Sequence, residues 1–133
     1  MSLKNLSATK IPKLLKNKLT NKRIKQIYKK FEQSIELNEN FAVAVSGGHD
    51  SLALAFLSKV YSIKKRISPK FVIVDHKLRP ESTKEAKLVI KILKKYSINA
   101  KILSWQGKKP IKNIQSLARN KRLKLLFAEC DKY

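Results

Sequence analysis

Acidic residues are scarce in this chain: 9 Asp and Glu stand against 31 Lys and Arg in 133 residues, a formal charge of +22. Such a one-sided balance points to a polyanionic partner, most simply nucleic acid. The basic residues are mainly lysine in a chain also rich in Ile and Asn, so coding bias of an AT-rich genome is the competing explanation. Cysteine is almost missing. Cys130 stands alone, which excludes a disulfide framework or a Cys-x-x-Cys metal or redox site within the chain, and reads as a small apolar residue on the last helix. No apolar run approaches a membrane span and the N-terminus has no signal-peptide core, so the expected location is the cytoplasm, with no membrane partner. Nor does any helical stretch set a bulky aromatic face opposite its lysines, as a membrane-surface helix would. The length allows at most one domain.

Glycine is scarce too, 3 in all, yet two stand together in Ser46-Gly47-Gly48-His49-Asp50-Ser51, directly after the apolar run at 41–45. A β-branched run of that kind reads as a buried strand. The paired glycines let the backbone turn sharply and approach a ligand. The apolar stretch from Ser51 onward reads as a helix, with Asp50 or Ser51 placed to cap it. Strand, glycine turn and helix N-terminus together make an anion site. A Walker A loop needs a lysine after the glycines, and the dinucleotide fingerprint needs a third glycine; neither is present. Ser-Gly-Gly-x-Asp-Ser instead resembles the pyrophosphate-binding loop of the ATP pyrophosphatases. The resemblance implies that the amides and the Ser46 and Ser51 hydroxyls hold pyrophosphate while Asp50 takes Mg²⁺. An ordinary strand-to-helix turn is the plainer alternative.

The first twenty residues carry lysines without acids and read as a loosely packed basic arm. From Asn21 a helical stripe of Ile24, Ile27, Tyr28, Phe31 and Ile35 runs toward residues 38–40, and its lysines fit a solvated face as well as an RNA contact. Strands are expected at 41–45, 71–75 and 100–104, with helices at 51–65, 82–96 and 113–131. The second of these helices opens on Ser82-Thr83-Lys84-Glu85, a capping-box pattern. Strands and helices alternating about every thirty residues indicate βαβ units. The expected fold is therefore α/β: a three-layer parallel sheet of Rossmann-like type, with ligands beyond the C-terminal strand ends.

The second strand ends in Asp75-His76-Lys77-Leu78-Arg79-Pro80-Glu81-Ser82. Asp75 there suits a metal or ribose hydroxyl, His76 a phosphate or a proton transfer, and Arg79 a phosphate; a polar strand end before a helix is the alternative. With the phosphate loop, this segment, the loop from Leu103 through Trp105 to Pro110, and Ala118-Arg119-Asn120-Lys121-Arg122, residues 41–133 resemble the tRNA(Ile)-lysidine synthetases. The resemblance implies an adenine-nucleotide α-hydrolase-like fold and ATP-dependent ligation of free lysine to the wobble cytidine of tRNA(Ile). On that reading Ser46, Gly47, Gly48, Asp50 and Ser51 bind ATP and Mg²⁺, and Asp50, Asp75 and His76 serve catalysis. Arg79, Arg119 and Arg122 then meet phosphate or RNA. Residues 21–133 would form the N-terminal part of the catalytic domain, because the family's His-x-x-Asp-Asp-Gln-x-Glu-Thr segment, expected to serve lysine binding, does not occur before Tyr133. His49 and Leu123 also depart from the family's usual residues. Trp105 suits base stacking or a core position, the latter being commoner. The rival readings are a related tRNA thiolase, which the single cysteine disfavours, and a basic nucleotide- or RNA-binding fragment without turnover.

Overall fold

The computed structural model describes residues 13–37, 39–106, 112 and 114–132. Its elements run α1 (Lys13–Leu19), α2 (Lys22–Ser34), β1 (Ala42–Ala44), α3 (His49–Lys65), β2 (Lys70–Asp75), α4 (Ser82–Lys94), β3 (Ala100–Ser104) and α5 (Ile114–Cys130). The loop expected after the third strand falls largely on residues 107–111, outside the described residues.

The three strands lie in the order β1-β2-β3, both pairings parallel, with Val43 opposite Phe71 and Ile73 opposite Ile102. Alternate side chains leave opposite faces of a strand. Val43, Val45, Phe71 and Ile73 accordingly turn to one face, where they meet Ala55 of α3 and Ala86, Val89 and Leu93 of α4. Two crossovers of one hand, stepping the same way across a sheet, put both helices on one side. Val72 points the other way and is also buried, with α5 packed against β2. Burial on both faces explains the unbroken apolar run of β2. On the α5 face Ala42 and Ala44 stay exposed.

A second core forms behind α3, where Val60 and Tyr61 meet Leu15 and Leu19 of α1 and Tyr28 of α2. The loosely packed arm expected over residues 1–20 is thus replaced from Lys13 by a packed helix, because Leu15 and Leu19 are four apart and share a face; residues 1–12 lie outside the described residues. Asn21 caps α2, its side chain accepting from Arg23 N and Ile24 N at 2.9 and 3.2 Å. The helix ends at Ser34, short of residues 38–40. There the chain turns extended at Ile35, and Leu37 exchanges hydrogen bonds with the Tyr61 hydroxyl. Ile27, expected in the buried stripe, is 50 % exposed; Tyr28 takes the inward position. Glu32 and Lys64 tie α2 to α3 at 2.6 Å. Leu15 is 2 % exposed, so Leu15→Ala is expected to cost about 2–5 kcal/mol, read as a lower urea midpoint with an unchanged slope.

Candidate phosphate-binding site

β1 carries the chain to Val45, whose N–H continues the ladder to Val72 O at 2.8 Å, and the backbone then turns within three residues into α3. Gly47 makes that turn at φ +99°, and a Cβ there would stand 2.6 Å from Val89 Cγ2. Conformation and space both demand glycine. Gly48 differs: its φ is −70°, and a Cβ would make only an ordinary 3.6 Å contact with Ser46 Oγ. The fold does not need a glycine at 48, and what its missing side chain keeps open is approach from outside.

Donors gather around this turn. The amides of Ser46 and Gly47 both donate to Ser51 Oγ at 3.1 Å, and the Gly48 amide to Ser46 Oγ at 3.3 Å. Ser51 Oγ in turn donates to Gly48 O at 3.0 Å. The cap expected from Asp50 or Ser51 is not made: Gly48 is the N-cap without a side-chain bond, and the Ser51 hydroxyl is drawn back to the loop amides. Asp50 lies exposed in the first turn, beside helix N–H groups that have no intrahelical acceptor. Loop amides, two hydroxyls and the positive end of a 17-residue helix thus gather at one turn, where the two serine oxygens accept from the amides of residues 46–48.

Beside it, β2 ends at Asp75, which is 2 % exposed. Its carboxylate accepts from Ser82 Oγ at 2.7 Å, Thr83 Oγ1 at 2.6 Å and Lys77 N at 3.0 Å. Burial works to raise this carboxyl, but the hydroxyl and amide donors outweigh it and hold the pKa below the ordinary carboxylate value. The capping box expected from Ser82 to Glu85 therefore gives way to another use of the same residues. Ser82 and Thr83 tie the start of α4 to Asp75, and Glu85 pairs with Arg79 at 2.8 Å. With three protein donors on it, the Asp75 carboxylate braces β2 against α4. Lys77 takes φ 53° to bring its amide back to that carboxylate. His76 Nδ1 accepts from Leu78 N at 3.0 Å, so the neutral ring carries its proton on Nε2.

A cleft of about 560 Å³ opens at these strand ends, between the start of α4 and α5. Ser46, Asp75, His76, Arg79 and Arg122 line it together with apolar Ala44, Val74, Ala118, Leu123 and Leu126. Gly47, Gly48, Asp50 and Ser51 are not among its walls; they belong to the adjoining turn. A second depression shares His76, Arg79, Ala118 and Arg122 with the cleft and adds Arg119. The predicted residues thus fall into three groups: the turn, the cleft wall and the arginine-bearing side of α5. Reasoning from sequence missed Thr83 as an Asp75 donor and the apolar wall from α5; a hydroxyl pair seven and eight residues beyond a strand-end aspartate was the available signal for the first. Trp105, 7 % exposed with its amide on Asp75 O at 2.9 Å, takes the core position and not a stacking one.

A glycine turn leading into a helix N-terminus at the carboxyl edge of a parallel sheet, next to a cleft of nucleotide size, is the arrangement of a nucleotide-binding α/β domain. More narrowly, the chain belongs to the PP-loop domain family, an ATP-binding family whose model matches residues 16–133. Among curated proteins it is similar to the tRNA(Ile)-lysidine synthases of Bartonella henselae (44 % identical over 96 residues, 71 % of this chain and 20 % of that protein) and Orientia tsutsugamushi (39 % over 100 residues, 75 % and 23 %). The enzyme of the same name from Wolbachia pipientis is 42 % identical over 95 residues, 70 % of this chain and 22 % of that protein. The chain spans about a fifth of the length of these relatives. No solved structure matches it.

Proposed function

We propose that this chain is the ATP-binding, N-terminal part of a tRNA(Ile)-lysidine synthase, an enzyme that joins free lysine to the wobble cytidine of tRNA(Ile). The observation that carries the reading is the Ser46–Ser51 turn, whose amides converge where a strand becomes a helix, beside a cleft floored by Asp75 and His76. The base oxygen of cytidine bonds to the α phosphorus of ATP and pyrophosphate leaves; the lysine amine then bonds to the activated carbon and AMP leaves. Such chemistry asks the protein mainly for positioning and charge stabilisation.

In this scheme the amides of Gly47 and Gly48, with the Ser46 and Ser51 hydroxyls turned outward, hold the departing pyrophosphate. Arg79 and Arg122 face the phosphates from the cleft, and Arg119 extends that charge toward RNA. His76 presents Nε2–H as the proton-bearing atom, and Asp75 acts by fixing the segment that carries it. Mg²⁺ is held through one or two carboxylates and mostly by phosphate oxygens and water. Exposed Asp50 fits that role, and among the described residues no three His, Cys, Asp or Glu side chains gather as a protein-only cage. When bound, the ion neutralises phosphate charge.

The lysine-ligation reading is favoured over sulfur transfer by where Cys130 sits. It borders Asn40, Ala42 and Lys70 at the amino ends of the strands, the far end from the phosphate turn. Among the described residues no helix is long and apolar enough to cross a membrane. Use of ATP, tRNA and lysine as substrates supports a cytoplasmic location.

Two outcomes are expected. Asp50→Ala weakens magnesium-dependent ATP binding by roughly 10–100-fold in calorimetry, the loss of one charge-assisted contact; unchanged affinity would remove Asp50 from the site. ATP–pyrophosphate exchange stimulated by tRNA(Ile) supports the adenylation step, whereas ATP binding without exchange supports a nucleotide-binding portion that does not turn over alone.

A further inference from the structure

We propose that the outward faces of α1 and α2 form a docking surface for the phosphate backbone of RNA, separate from the cleft and its arginines; this rests on the reading of the protein as tRNA-directed. α2 places Lys22, Lys25 and Lys29 at three- and four-residue spacing along one face, with Arg23 and Lys30 beside them, and all five are exposed. Lys13 and Lys16 are likewise exposed on α1, which packs directly against α2. The only acid on either helix, Glu32, is already bound to Lys64 at 2.6 Å. None of the seven cations has a carboxylate partner among the described residues, while Glu32, Glu85 and Glu129 each hold a lysine or arginine elsewhere.

A merely solvated helix face is usually laced with opposite charges at three- and four-residue spacing, which relieve like-charge repulsion. That repulsion is left standing here, as it also is along Lys84, Lys87, Lys91 and Lys94 of α4, but on α1 and α2 two packed helices carry it, with Leu15, Leu19 and Tyr28 buried behind them. A phosphate chain would relieve it. From Lys22 to Lys29 the helix advances about 10 Å, a distance over which a nucleic-acid strand presents several phosphates. A lipid surface suits this face less well. The exposed large apolar side chains on these helices are Leu14 and Ile27, and both aromatic rings of α2 turn inward.

The test compares two triple variants of equal charge change. Lys22→Gln, Lys25→Gln and Lys29→Gln together neutralise the proposed surface. Lys87→Gln, Lys91→Gln and Lys94→Gln neutralise exposed lysines of α4 and leave α1 and α2 intact. Affinity for a tRNA transcript is measured by fluorescence anisotropy across a potassium chloride series, with thermal melts to check folding and MgATP binding measured in parallel. The α2 triple is expected to flatten the log–log salt slope by about 2–3 and to leave MgATP binding as it was; the α4 triple is expected to change the slope by less than half as much. Equal effects of the two triples would assign RNA affinity to net charge alone and overturn the proposal. So would an unchanged slope in the α2 triple, or no tRNA affinity in the parent chain. A loss of binding to phosphatidylserine vesicles, with tRNA affinity kept, would assign the surface to membranes. Failure of MgATP binding in the parent chain would sink the phosphate-site reading separately.

Discussion

Gly47→Ala is expected to destabilise the domain by about 2–5 kcal/mol and to abolish nucleotide binding with it. Two independent costs add. A side chain at φ +99° occupies backbone space that L residues rarely adopt, about 1–2 kcal/mol, and the new methyl would meet Val89 Cγ2 at 2.6 Å, about 1–3 kcal/mol of overpacking. Val89 cannot retreat easily, since it is buried between α4 and the sheet. Gly48→Ala is the matched control. Its backbone is ordinary and its Cβ would have room, so stability should stay within about 0.5 kcal/mol while MgATP affinity falls. Urea unfolding and calorimetry on the pair separate a fold requirement from a ligand requirement. Equal stability losses at 47 and 48 would contradict the assigned geometry.

Asp75→Ala should be nearly as damaging, about 3–5 kcal/mol, because it strands the Ser82 and Thr83 hydroxyls and the Lys77 amide together. The acid limb of the stability profile gives a second reading of the same site. The folded-state pKa of Asp75 lies below its ordinary 3.8, so its contribution is fully present above that ordinary value and is lost as pH falls through the lower, folded one. The urea midpoints of the parent and of Asp75→Asn should therefore lie furthest apart near neutrality and approach each other below about pH 4. A gap that stayed constant into acid would mean that the charge of Asp75 contributes nothing, and that the brace depends on shape alone.

Much of the fold was legible in the sequence because its signals were local and mutually consistent. The apolar run before Gly47 could bury its residues only as a strand, and β3 falls at 100–104 as expected. Helix ends were less legible, and the reason is physical: hydroxyls near a helix start serve whichever acceptor or donor the tertiary fold supplies. Ser51 turned back to the loop amides, and Ser82 and Thr83 turned to a buried carboxylate seven and eight residues earlier in the chain. The helix within residues 1–20 was hidden because its two buried leucines sit among lysines that dominate the composition. At the site, the motif residues were readable one by one. Their division into turn, cleft wall and α5 face was not, since α5 reaches β2 only through long-range packing.

The most direct test of the phosphate site is a nitrogen-15 NMR titration of the folded chain with MgATP and, separately, with magnesium pyrophosphate. Both ligands should shift the amides of Gly47, Gly48 and Ser51 at the lowest concentrations, and only ATP should go on to move Val74, Ala118 and Leu126 in the cleft. Saturable ATP binding that leaves the amides of residues 46–51 unmoved would contradict the account.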